Sequence, residues 1–141
     1  MIVEATVEEL SGASALPPDG IWVEVFGVNA PMHDYHAPGF KQIVLGLRRA
    51  RVRRVPFALV YRTTRSNYRH AVEMVQVAHA LGARAVGFAP PEPACRVPAA
   101  QPELAAPFLE RAFQAARVLG MPIATRDRAE PSSALDWLPE L

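Results

Sequence analysis

Short apolar runs recur along this chain at near-constant intervals, and each is followed by a segment with helical period. That alternation leaves few folds open. The runs are residues 21–28 (IWVEVFGV), 55–61 (VPFALVY), 85–88 (AVGF) and the shorter 122–125 (PIAT). Each is rich in β-branched or aromatic residues, the pattern of a strand covered on both faces. Between them, Phe40, Ile43, Val44 and Leu47 fall at i, i+3, i+4, i+7, one apolar stripe of a helix. Ala71, Met74, Val75, Ala78 and Leu81 repeat the stripe, with Ser66 or Asn67 as N-cap and Gly82 past the end. Phe108, Leu109, Ala112, Ala116 and Leu119 form the third, closed by Gly120, with Pro107 expected near its start.

Strand starts recur after roughly 30 to 38 residues, the length of a strand–helix unit with a right-handed crossover. Residues 2–7 (IVEATV) add one more candidate strand, joined by the turn-rich stretch 11–20. The expected fold is therefore α/β: a partial (β/α) barrel of about four or five parallel strands with helices on the outer face, one domain spanning residues 1–141. A closed eight-strand barrel takes roughly 250 residues, so this chain cannot complete one. The tail, residues 131–141, is expected to be a loop and a short helical turn with Trp137 packed down.

An incomplete barrel has sheet edges, and a bare edge strand invites another chain. The expectation is a homodimer or a protein partner covering the open edge. No run of about 18 apolar residues exists, which argues against a membrane span. Nor does a basic segment followed by an apolar one open the chain, so no signal peptide is expected. The single cysteine, Cys95, rules out a disulfide framework and fits a reducing, cytoplasmic setting.

In α/β folds, ligands meet the carboxyl ends of the strands. The residues that follow the runs are polar there: Asn29, His33, Asp34 and His36 after the first, Arg62 to Asn67 after the second, Arg126 and Asp127 after the last. Asn29, His33, Asp34, Arg62, Thr63 and Asn67 are the candidate ligand-binding residues. His33 and His36 flank Asp34 with metal-ligand spacing, yet no third and fourth ligand lies nearby, so a structured loop is the expectation. Arg62 and Arg65 stand before a helix start, where anions bind, but a capped helix entry with exposed arginines is the expectation. Lys41, Arg48, Arg49, Arg51, Arg53 and Arg54 gather around a helix end, where cations favour the dipole. No aromatic stacking platform accompanies them, which argues against nucleic acid. Cys95 has no neighbouring histidine to activate it.

The stretch from residue 17 to 88 resembles the middle of radical SAM enzymes, in particular those related to peptide-modifying maturases. The resemblance is carried by His33-Asp34 after a strand, Gly39-Phe40 at a helix start, Gly46-Leu47-Arg48, the strand opening Val55-Pro56, Asn67 leading a helix, and its close from Ala78 to Ala83. The departures are equally specific. The family's Cys-x-x-x-Cys-x-x-Cys loop and its Gly-Gly-Glu element are missing, and only Asn29 stands where a ribose-contacting residue is expected. The resemblance thus implies a partial barrel without radical chemistry. No cofactor is expected in this chain alone; S-adenosylmethionine and a 4Fe-4S cluster enter only if another chain completes the site.

Three functions follow. The first is a non-catalytic accessory or relic domain acting through protein–protein association. The second is one part of a split or truncated radical SAM enzyme, with Asn29, Arg62 and Thr63 lining the cofactor mouth. The third is a small-molecule-binding or lyase-type fragment using His33, Asp34 and Arg62.

Overall fold

The computed structural model describes residues 2–12 and 15–141; Met1 and, within the turn-rich joint, Ala13 and Ser14 lie outside the described residues. The chain forms an open six-stranded sheet whose order in space repeats its order in sequence: β1 (Val3–Glu4), β2 (Ile21–Val25), β3 (Phe57–Arg62), β4 (Ala85–Ala89), β5 (Ile123–Thr125) and β6 (Arg128–Glu130). The first five are parallel, and β6 turns back antiparallel on β5. The connections carry α1 (Val7–Ser11), α2 (Ala30–Asp34), α3 (Phe40–Val52), α4 (Ala71–Leu81) and α5 (Pro102–Leu119). The α/β class and the parallel core match expectation, and the sheet is open.

One face of the sheet packs against the helices. Ile21, Val23 and Val25 alternate toward it with Phe57, Leu59 and Tyr61, then Val86, Phe88 and Ile123, and they meet Ile43, Leu47, Met74, Val75 and Phe113. Sequential parallel strands with right-handed crossovers place their helices on one side, so this single layer follows from the topology. Gly46 on α3 lets α1 approach: a Cβ built there would stand 2.6 Å from the Leu10 Cβ.

The opposite face is narrower in chemistry. Val60, Ala89 and Ala124 face the buried Ala134 and Leu141, with Trp22 and Leu138 partly covered. The tail therefore lies across the sheet: a 3₁₀ turn at Ser132–Trp137 sets Trp137 beside the Arg84 guanidinium (5.5 Å), and Leu138 and Leu141 settle over Gly87. A side chain at residue 87 would meet both leucines at 3.2 Å.

Several elements differ from the sequence reading. β1 keeps only Val3–Glu4 of the expected strand 2–7, because Thr6 caps α1 and Val7 opens it, and β2 ends at Val25 rather than at residue 28. Helix α5 starts at Pro102, which occupies the first turn, so Pro107 sits inside the helix and leaves the Glu103 carbonyl without its usual donor. A 3₁₀ turn, Tyr68–His70, precedes α4, so neither Ser66 nor Asn67 caps that helix. β6 was not expected, because Arg-Ala-Glu lacks any strand-forming residue. It is held instead by a two-residue turn at Arg126 and Asp127 and by ion pairs: Arg128 with Glu110 (2.6 Å) and Glu130 (2.8 Å), and Arg117 with Glu130 (2.7 Å). Those two arginines lower the Glu130 carboxyl to about 2.

Candidate functional site

The carboxyl ends of β1, β2 and β3 bring the polar residues together. After β2 the chain turns into α2, whose N-cap is Asn29; its Oδ1 accepts the Met32 N–H at 2.9 Å. Asp34, at the other end of the same helix, accepts the Phe40 N–H at 3.1 Å and anchors the start of α3. Both are held by backbone, as short polar side chains in turns commonly are.

His33 lies between them and is 2% exposed. Its Nδ1 accepts the Phe26 N–H at 3.0 Å, which requires the ring proton on Nε2. That Nε2 has no partner among the described residues. Burial holds the imidazole below its usual pKa, and Asp34 opposes the shift more weakly. The ring helps line a recess of about 520 Å3 at the β1 side, together with Glu4, Thr6, Glu24, Phe26 and Gln42. Burial, then the neighbouring Glu24 carboxylate, raises the Glu4 carboxyl above its ordinary value.

Arg62 ends β3. Its Nε donates to Glu24 Oε2 at 2.6 Å and one terminal nitrogen donates to the Pro90 carbonyl at 3.2 Å, with Glu92 3.8 Å from the other. The guanidinium is thus committed to carboxylates and a carbonyl. Thr63 donates its N–H to the Ala89 carbonyl at 2.7 Å, while its Oγ1 is buried without a partner among the described residues.

Asn67 is fully buried and satisfied on both sides of its amide. Nδ2 donates to the Phe26 carbonyl (2.9 Å) and the Arg62 carbonyl (2.8 Å), and Oδ1 accepts the Thr64 N–H (2.8 Å). It ties the end of β2 to the loop after β3. Of the six candidates, Asn29, Asp34 and Asn67 brace the backbone, Arg62 is paired, and His33 and Thr63 each keep a buried polar atom with no partner among the described residues.

Three residues outside that set meet across the same rim. His36 Nε2 lies 2.9 Å from Ser66 Oγ and 3.2 Å from Thr64 Oγ1, and the two hydroxyls are 3.0 Å apart. The Met32 carbonyl, 3.1 Å from His36 Nδ1, can only accept, so Nδ1 carries the proton. The two rim loops are thus joined side chain to side chain. The signal for them in the sequence was the two polar runs themselves; which histidine faces the second loop was not legible.

The residues present do not fit an iron–sulfur cluster. Cys95 is the chain's one thiol, and no group of three or more His, Cys, Asp or Glu among the described residues could hold a metal ion. No described helix is long and apolar enough to cross a membrane. No protein-family model, curated protein or solved structure matches the chain.

Proposed function

We propose that this chain is an accessory module, a radical SAM-like half-barrel that performs no radical chemistry and acts by pairing a protein partner with its β1 edge. The observation that carries the reading is the β1 edge, which no further strand covers among the described residues, beside a recess. Val3 and Ala5 turn their N–H groups to β2, donating to Gly20 and Trp22, so strand alternation leaves the N–H and C=O of Glu4 facing outward. Val3 is 37% exposed next to them. The 520 Å3 recess opens along the same strand and is walled by Glu4, Glu8 and Glu24. An extended segment that pairs with Glu4 would carry a side chain over this recess, and the carboxylates favour a basic one. Two further facts support the accessory role: the committed Arg62, and the tail leucines covering the sheet face opposite the helices.

The far edge is unsuited to the same task. β6 carries Arg128 and Glu130 locked into ion pairs, and charged side chains blunt edge pairing.

The test is Glu4→Pro, which deletes the outward N–H and leaves both bonds to β2 intact. Light scattering across concentration shows whether a second copy is the occupant. Panning a displayed random-peptide library shows whether the edge selects extended basic segments. Association or peptide capture by the wild type that is lost in Glu4→Pro supports the reading. A wild-type monomer that captures no peptide in an edge-dependent way overturns it, as does an assembly that survives the substitution.

A further inference from the structure

We propose that Ser66 and His36 form a nucleophile–base pair that takes the acyl group of aryl esters and passes it to water. This goes beyond association at the β1 edge and needs no partner chain. A serine hydroxyl is a weak nucleophile until a base within hydrogen-bond reach removes its proton, and the base must itself be oriented by a third group. All three parts are present. Ser66 Oγ lies 2.9 Å from His36 Nε2, within the range for proton transfer. The Met32 carbonyl fixes the proton on Nδ1, which leaves Nε2 as the lone-pair nitrogen of the neutral ring.

The ring is also held in place. Phe26 stacks on His36 with centroids 5.0 Å apart and planes 10° from parallel, and Tyr35 stands edge-on at 5.3 Å and 85°. The Phe26 face gives an imidazolium formed during reaction a favourable π contact. Thr64 is fully buried, and its hydroxyl sits 3.0 Å from Ser66 Oγ. With Nε2 accepting from Ser66, the Thr64 hydroxyl can donate to Ser66 Oγ and hold that oxygen against the ring. Thr64 is a positioning residue in this scheme. Ser66 itself is exposed, so a substrate can reach it.

The surroundings narrow the substrate. Tyr35 is 51% exposed beside His36, and the Arg96 guanidinium lies 4.7 Å above its ring. An aromatic leaving group finds a ring and a cation there. In the first step the Ser66 Oγ lone pair bonds to the ester carbonyl carbon and its proton moves to His36 Nε2. The bond from that carbon to the aryl oxygen then breaks, and the departing oxygen takes the proton from His36. In the second step water attacks the acyl-serine carbonyl and gives a proton to Nε2. The bond to Oγ breaks, Ser66 regains its proton, and the carboxylic acid leaves.

The experiment treats the folded wild-type protein with a fluorophosphonate probe and with p-nitrophenyl acetate. Modification is followed by intact mass and peptide mapping, and hydrolysis by p-nitrophenol release. The expected result is one adduct, on Ser66, and turnover that Ser66→Ala abolishes while its thermal unfolding is unchanged. His36→Gln should slow labelling by roughly 100-fold or more, and Thr64→Ser should retain it. Absence of an adduct on the folded protein overturns the proposal. So does labelling at another residue, or equal labelling of Ser66→Ala; each would leave the cluster as a stitch between two loops.

Discussion

The Asn67 side chain donates to the main-chain oxygen of Phe26 at 2.9 Å, across 41 residues of sequence. One amide thereby couples the exit of β2 to the exit of β3, on which both rim loops depend. Asn67→Ala should cost about 2–4 kcal/mol, because it leaves a buried N–H and two carbonyls without partners. Asn67→Asp keeps the Thr64 bond but sets a carboxylate against two carbonyls, so it should be at least as destabilising. Urea unfolding of the two variants checks both statements.

Protonation of His33 should weaken the fold. The folded ring has a lower pKa than the ordinary 6.5 because it is buried, with Asp34 pulling the other way and His36 adding slightly to the shift. Below pH 6.5 the unfolded chain therefore binds the proton more readily than the folded one. This contribution is complete above that pH, declines as pH falls toward the lower folded value, and levels off below it. His33→Gln, whose side-chain oxygen can still accept the Phe26 N–H, should flatten that part of the profile. Urea midpoints at about pH 7.5 and about pH 5.5 measure the slope.

Gly46→Ala should destabilise despite a better helix former on α3. The added methyl would stand 2.6 Å from the Leu10 Cβ and 3.0 Å from the Leu10 carbonyl oxygen. Overpacking of this kind costs about 1–3 kcal/mol, against about 1 kcal/mol of helix propensity gained. Leu10→Ala removes only part of the clash, so a double-mutant cycle should show coupling between positions 10 and 46.

The tail should loosen as a unit. Leu138→Ser removes apolar burial worth about 1–2 kcal/mol where the tail crosses Gly87. The expected outcome is faster proteolysis within residues 131–141 and faster amide exchange in β4, with little change in α3. Unaltered cleavage would show that Ala134 and Leu141 suffice to hold the segment.

Much of the architecture was legible because β3 and β4 are apolar on both faces, as in Phe57 toward the helices and Val60 toward the tail, and β2 alternates apolar residues toward the helices. β6 was hidden because its hold comes from Arg117 and Glu110 on a helix rather than from its own residues. The tail's leucines follow no period, so nothing in their spacing announced a sheet beneath them. At the rim, the residue types were legible and their pairing was not. α2 ends at Asp34, which leaves His33 turned into the interior and His36 beyond the helix, facing Ser66. A three-residue spacing does not reveal where so short a helix stops.

Because neighbours in the sheet are also neighbours along the chain, each β–α module meets the surface it needs as soon as it is complete. Long searches through sequence are avoided, and such local pairing favours quick assembly. The tail is the exception: Leu138 and Leu141, reaching back over Gly87, must wait for the strands they cover.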